Sequence, residues 1–460
     1  MRDSPPPHSR PAERGSLLEQ ATPTLSGPNR TRLFGLALDQ VDRDQRLILL
    51  VTWFSWTLGA MDTMIYSLVL TPALTELLAS ADSGSPVSTG TVGWYGGVIL
   101  STFLVGWAVG GVGLGSLADR LGRTRVMVLC MVVIAVSTGL ATFAQAWWHL
   151  AGTRFFTGVG IGGLWAAGAA LIAEVWPEHN RPQAAGFLQS AWGFGFFLAA
   201  ALHLLVKGYG WRGFFALGFL TIVAAWLLTR RTHDSSRWQS SHAAEEQPGQ
   251  LHPSRLRPLF RPDYRRATWS GTTLAFVAVF GLWGATNWTP SLIQALPDLA
   301  GLDPSTTASY VSYAVMSLNV GALLGYFGFG FLASRLGRKP VFALMSGGSL
   351  ILVPVTFLFP HSYTVALCLL PILGFFTKGI FGGFPLYFPE LFPTRLRSTG
   401  AGFCYNAGRI VASISPFMTG TLVSTFGSFG MAASTIAAIY LVALAILPFA
   451  IETHGRPLPE

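Results

Sequence analysis

The chain has 460 residues, 51% of them hydrophobic and only 11% charged, with a mean hydropathy of +0.48. A soluble protein carries roughly a quarter charged residues, so a water-soluble globule is excluded and much of the surface must face lipid. The net charge of +9 does not mark a nucleic-acid binder, because the thirty basic residues, only three of them lysine, lie mostly in short segments between apolar runs.

Residues 1–45 are rich in Pro, Ser and Arg and lack an apolar core, so they predict a disordered cytoplasmic tail and not a cleavable signal. A membrane helix needs about 20 apolar residues. Twelve such runs follow, at 46–78, 93–118, 124–144, 147–174, 183–206, 211–229, 268–294, 307–333, 340–359, 362–389, 397–424 and 428–451. The first six make one bundle over 46–229; a polar linker, 230–267, joins it to a second bundle over 268–452, and 453–460 is a short tail. The expected fold class is an all-α membrane protein of twelve transmembrane helices in two pseudo-symmetric six-helix bundles, working as a monomer in the lipid bilayer. Cys130, Cys368 and Cys404 all fall inside apolar runs, so no disulfide framework is implied.

Arginines set the orientation. Every even-numbered connection carries them: Arg120, Arg123 and Arg125; Arg181; eight in 230–267; Arg335 and Arg338 with Lys339; Arg395 and Arg397. The odd connections are nearly bare, Lys207 and Arg212 excepted. Basic loops stay on the cytoplasmic side, so both termini are expected there, in the inner membrane.

The chain also repeats itself. Gly115-Ser-Leu-Ala-Asp-Arg-Leu-Gly-Arg123 recurs 215 residues later as Gly330-Phe-Leu-Ala-Ser-Arg-Leu-Gly-Arg338, with seven of nine positions identical. Glu174-Val-Trp-Pro-Glu-His-Asn-Arg181 with Gly186 recurs as Glu390-Leu-Phe-Pro-Thr-Arg-Leu-Arg397 with Gly402, at an offset of 216. Two loops repeated at nearly one offset mean that one bundle was doubled.

These motifs, with Arg154-Phe-Phe-Thr-Gly158-Val-Gly160 in the fourth run and Glu452-Thr-His-Gly455 after the last, resemble those of the major facilitator superfamily over about 40–455. Within it, Trp53 to Pro72 and Trp176-Pro-Glu-His-Asn-Arg-Pro are similar to the sialate and monocarboxylate:proton symporters and to the aromatic-acid and metabolite:proton symporters. The resemblance implies alternating access around a midplane site formed mainly by helices one, four, seven, eight, ten and eleven. It departs where relatives often carry two aspartates in the first helix: here Gly59 stands at the first and Asp62 at the second. Leu164 stands where many have a glutamate.

In the gating loop, Asp119 can pair with an arginine or accept from a helix N-terminus across the two halves, around a turn permitted by Gly122. Such a latch favours the outward-open state. In the second copy the aspartate is Ser334, so that latch should be weaker or absent.

Asp62, Arg154, Lys378 and Arg409 stand inside apolar runs. A charge at mid-bilayer costs roughly 2.5–3.5 kcal/mol on insertion scales, which makes each a functional candidate. A structural reading pairs Asp62 with one cation; a functional reading notes that one central carboxylate against two central cations favours an anionic ligand. Arg409 suits a bidentate carboxylate contact, while Lys378 is either a second contact or the partner of Asp62. Asp62 is the proton-coupling candidate, taking a proton from outside and releasing a cation to the substrate, with His203 as a fallback. Tyr66, Gln189, Trp283, Asn287, Tyr313, Asn319, Tyr405 and Asn406 are candidates to complete the pocket. Tyr405 and Arg409 share a helix face, and Trp53 and Trp56 suit either pocket or interface.

The fifth run, Trp192-Gly-Phe-Gly-Phe-Phe197, lacks the Gly-Pro pair of drug antiporters. No nucleophile–base set or metal cluster stands in the sequence, so an enzyme is disfavoured and no cofactor or metal is expected. The expected function is proton symport of a small organic anion (a mono-, aromatic or sugar carboxylate). A sugar or polyol symporter is the first alternative, and a transporter-like sensor the second.

Overall fold

In a computed structural model of the chain, the described residues are 32–33, 36–37, 41–79, 89–206, 209–245, 256–294, 296–302, 304–359, 362–412, 414–426 and 428–459. Most of the tail expected over 1–45 lies outside them; within it Arg32–Leu33 pairs antiparallel with Leu36–Ala37. The first half holds α1 (Arg43–Ala79), α2 (Thr89–Leu121), α3 (Arg123–Ala141), α4 (Trp147–Val175), α5 (Arg181–Val206) and α6 (Gly210–Arg231). A linker helix, Ser236–Glu245, follows. The second half holds α7 (Pro262–Gly284, running on through a tight turn to Thr289–Gln294), α8 (Pro304–Leu336), α9 (Arg338–Leu358) and α10 (Tyr363–Glu390). It closes with α11 (Arg397–Ala412, then Ser415–Phe426) and α12 (Gly430–Phe449).

Among the described residues nine of these are long and apolar enough to cross a membrane by length and composition, and α5, α7 and α11 are not. Two of the three carry polar residues of the interior, Gln189 in α5 and Arg397, Asn406 and Arg409 in α11, while α7 opens on the exposed Arg265 and Arg266. The seventh helix starts earlier than its apolar run suggests. Pro262 at the first turn is pre-set for helix, and the polar Asp263 to Arg266 form that turn outside the apolar stretch.

Packing repeats with the sequence. In the first half α2 lies on α4 and α1 on α5; in the second α8 lies on α10 and α7 on α11. The halves meet along two seams, α2 with α11 and α8 with α5, which the internal symmetry exchanges. Gly122 and Gly337 turn the chain between α2 and α3 and between α8 and α9 with φ of 104° and 93°, a region only glycine enters without strain. Gly110 and Gly321 bring α2 onto α4 and α8 onto α10: a Cβ at either would sit 1.9 Å from a carbonyl oxygen, that of Val159 or of Pro371.

Candidate substrate cavity and latch

The doubled loops build two buried ion clusters on the arginine-rich face. In the first, Glu174 at the end of α4 accepts from Arg123 at 3.0 Å and from Arg397 of the other half at 2.8 Å. In the second, Glu390 at the end of α10 accepts from Arg338 at 2.8 Å and from Arg181 of the other half at 3.4 Å. Each glutamate therefore holds one arginine from each half. Enclosed charges survive only when paired and hydrogen-bonded in this way.

A hydroxyl completes each cluster. Ser235, just ahead of the linker helix, donates to Glu174 Oε2, and Thr453, beyond α12, donates to Glu390 Oε2 at 2.6 Å. The acid before each hydroxyl caps a helix. Asp234 accepts from the Thr124 N–H at 2.8 Å at the start of α3; Glu452 accepts from those of Arg338 and Lys339 at 3.0 and 2.9 Å at the start of α9. Burial pushes the Glu452 carboxyl upward, but the backbone N–H groups of Arg338, Lys339, His454 and Thr453 outweigh it and hold the group below its ordinary value.

The two seams differ. Asp119, 2% exposed, accepts from the Ser398 and Thr399 N–H groups at 3.1 and 2.8 Å and from the Thr399 hydroxyl at 2.6 Å, while Arg123 lies 3.0 Å from its carboxylate. It thus seals the α2–α11 seam at the positive end of α11. At the other seam Ser334 is half-buried and donates to the Phe331 carbonyl of its own helix at 2.8 Å. Arg120 and Arg335 stay outside the clusters: Arg120 Nε meets no acceptor among the described residues, and Arg335 stacks on Phe331 at 4.1 Å. Gly115 and Gly330 let these seams close, since a Cβ at either would stand 3.0 Å from the Ser398 carbonyl or 2.4 Å from that of Pro182.

Deeper in, a cavity of about 370 Å³ lies between the halves. Tyr66, Arg154, Gln189, Trp283, Asn319, Lys378, Tyr405 and Arg409 all line it, so most of the sequence candidates converge. The Arg409 guanidinium carbon is 4.0 Å from the Trp107 ring centre and 4.7 Å from that of Tyr405. Lys378 Nζ donates to Asn319 Oδ1 at 2.8 Å. Among the described residues, no carboxylate lies within ion-pair distance of either cation. Trp56, Trp107 and Trp192 form an aromatic wall, with ring centres 5.1 Å apart for Trp56 and Trp192 and 5.5 Å for Trp107 and Trp192.

Asp62 is fully buried beside this cavity and pairs with Arg154 at 3.3 Å; its Oδ1 meets no donor among the described residues. Thr138 accepts from Arg154 at 2.6 Å, and Phe215 lies under its guanidinium at 5.1 Å. The partner of Asp62 is therefore Arg154 and not Lys378, because the Lys378 ammonium is turned to Asn319.

Three other candidates fall away from the cavity. Asn406 donates back to the Gly402 carbonyl at 2.8 Å and lies against Gly111 of α2. Tyr313 is 60% exposed. Trp53 donates to Ser190 at 3.1 Å and stacks on Phe187, so of the two early tryptophans only Trp56 reaches the cavity. The side chains of Asn287 and His203 lie outside the described residues.

The sequence pattern of the Major Facilitator Superfamily matches residues 52–416. The chain belongs to the Major Facilitator Superfamily. Over 409 residues this transporter is 30% identical to a probable 4-methylmuconolactone transporter of Cupriavidus pinatubonensis, covering 87% of this chain and 89% of that protein. Over 351 residues it is 30% identical to a cis,cis-muconate transport protein of Acinetobacter baylyi, covering 75% and 82%. The solved proton:xylose symporter XylE matches with a TM-score of 0.70 over 90% of this chain and 97% of that one, at 18% identity, a likeness of fold alone. The protein is a transporter and not an enzyme.

Sequence reasoning missed Asp234, Ser235 and Thr453. Asp234-Ser235 and Glu452-Thr453 stand 218 residues apart and share chemistry without sharing a residue, so comparison by identity passes over them.

Proposed function

We propose that this transporter carries a small organic anion into the cell together with protons, by alternating access, from a site at Arg409 and Lys378. The single observation behind this reading is that both cations line the cavity with no carboxylate within ion-pair distance among the described residues. A buried, unpaired cation carries a desolvation penalty that an anionic ligand relieves. Arg409 offers a planar fork for one carboxylate, and the Trp56, Trp107 and Trp192 wall suits a flat apolar skeleton. The relatives named for muconate and 4-methylmuconolactone agree in kind with such a cargo.

Asp62 is the coupling site. With the cavity empty its carboxylate neutralises Arg154; a proton arriving at the unpartnered Oδ1 releases Arg154, itself a lining residue, to the incoming anion. The Asp119 latch and the two ion clusters hold the arginine-rich face closed, which corresponds to the outward-facing half of the cycle. That face is cytoplasmic by the positive-inside rule, with both termini on it, in the inner membrane, and the monomer is the working unit.

The test is uptake into sealed vesicles under an imposed proton gradient, with benzoate, cis,cis-muconate and D-xylose as probes. Carboxylate uptake should collapse the gradient, Arg409→Ala should lower it by more than tenfold, and Asp62→Asn should abolish accumulation while leaving exchange. Xylose-driven proton entry that ignores Arg409→Ala would sink the anion reading.

A further inference from the structure

The charges around the cavity do not balance, and the size of the imbalance carries information. Arg154 is met by Asp62 at 3.3 Å, so that pair is neutral until Asp62 takes up its proton. Arg409 touches two ring faces, and Lys378 spends one of its three donors on Asn319. Among the described residues no carboxylate answers either, which leaves the wall two positive charges in excess. A monocarboxylate would neutralise one and leave the other in a low-dielectric site. A dianion would neutralise both.

We propose that the preferred cargo is a dicarboxylate with a flat, conjugated skeleton. One carboxylate lies in the fork of Arg409 and the other on Lys378 beside Asn319, while the carbon skeleton rests on the indoles of Trp107 and Trp192. The two cations come from neighbouring helices of the second half, α11 and α10, and the indoles from α2 and α5 of the first. A bound diacid therefore joins the halves across the cavity, which is what a substrate that drives their rocking must do. Size permits it: a cavity of about 150 Å³ accommodates benzene, and this one measures about 370 Å³. The inference rests on the organic-anion reading above.

Binding to the purified full-length protein, followed by thermal stabilisation, tests it without transport. The probes are cis,cis-muconate, its monomethyl ester, benzoate and D-xylose. The ester has the skeleton of the diacid with one charge removed, so the diacid should bind about tenfold or more tighter, the weight of one charge-assisted contact. Lys378→Gln should erase that margin, Lys378→Arg should keep it, and Arg409→Gln should weaken all three acids. Equal binding of diacid and ester to the wild-type protein overturns the dicarboxylate assignment and leaves the organic-anion reading standing. Binding of xylose with none of the acids overturns both. The wild-type comparison needs no variant, so a misfolded Lys378→Gln would not blunt the test.

Discussion

The α2–α11 seam and the α8–α5 seam descend from one repeated loop, yet only the first carries a cross-half hydrogen-bonded latch. Asp119 takes three hydrogen bonds from Ser398 and Thr399, whereas its counterpart Ser334 bonds within its own helix. The acceptor and part of its donor set have changed together: Pro182 stands in the repeat where Ser398 stands and has no N–H to give, while Gln183 in place of Thr399 keeps the N–H but lacks the hydroxyl. The ion clusters lean the same way: Glu174 holds the opposite half's arginine at 2.8 Å, Glu390 at 3.4 Å. Duplication thus gave two equivalent hinges, and a few substitutions made one of them the firmer. The α8–α5 seam should part first when the arginine-rich face opens.

The largest effect should come from the clusters. Glu174→Gln leaves the fully buried Arg397 without its counter-charge and the equally buried Arg123 with Asp119 alone, and breaking a buried pair costs about 3–5 kcal/mol. Glu390→Gln should cost less, since its cross-half contact is the longer one. Unfolding midpoints in detergent measure both, and equal losses would break the claim that the seams differ.

Next in size is the latch. Asp119→Asn removes the charge that the α11 N-terminus and Arg123 share, worth about 1.5–3 kcal/mol for hydrogen bonds to an ionised group. That is enough to move the open-face population by tenfold or more. Ser334→Ala should stay within about 0.5 kcal/mol, since it removes only a hydrogen bond within its own helix. Pulsed electron-resonance distances between labels at the exposed positions Arg125 and Arg395 report the opening. A shift with Ser334→Ala as large as that with Asp119→Asn would remove the asymmetry.

The seams were legible in the sequence because their charges fall at fixed places in two near-identical loops. The convergence of Tyr66, Gln189, Asn319, Lys378, Tyr405 and Arg409 on one cavity was legible from cost alone, since polar groups at membrane depth must face inward. Partner choice was not. Asp62 and Arg154 lie on different helices, α1 and α4, so depth read along one helix says little about which cation stands opposite. Asn406 illustrates the same limit: it follows Tyr405 directly, yet a step of one residue turns the side chain by about 100°, away from the cavity and onto α2. Trp53 and Trp56 part for the same reason.

A smaller effect tests the caps, where the second half is the better held. Glu452 accepts from two successive N–H groups at the start of α9, Asp234 from one at the start of α3. Losing a helix cap costs about 1 kcal/mol, and partial exposure of Glu452 reduces its electrostatic share. The Glu452 carboxyl is held below its ordinary value, so its contribution is complete above the unfolded carboxylate pKa and is lost as pH falls through the lower folded one. Glu452→Gln should therefore destabilise at pH 7, and the difference from wild type should shrink on acidification below that range. A difference that grew in acid would mean the carboxylate is not acting as a charged cap.

The smallest effect comes from rebuilding the missing latch. Ser334→Asp alone supplies an acceptor, but of the three donors that Asp119 meets only the counterpart of the Thr399 N–H, that of Gln183, is present, so the change should stay within about 0.5 kcal/mol of wild type. Pro182→Ser alone supplies a donor without an acceptor and should be equally mild. Together they recreate the pairing of Asp119 with Ser398, and the double variant should gain about 1 kcal/mol beyond the sum of the singles, the coupling expected of residues in contact. The same labels on the arginine-rich face would then show the closed form favoured. If Ser334→Asp closed the seam unaided, the lost acceptor would account for the weaker seam and the proline would be incidental. If the double variant showed no coupling, the seam would owe its looseness to the longer reach of Arg181 to Glu390 and not to the latch.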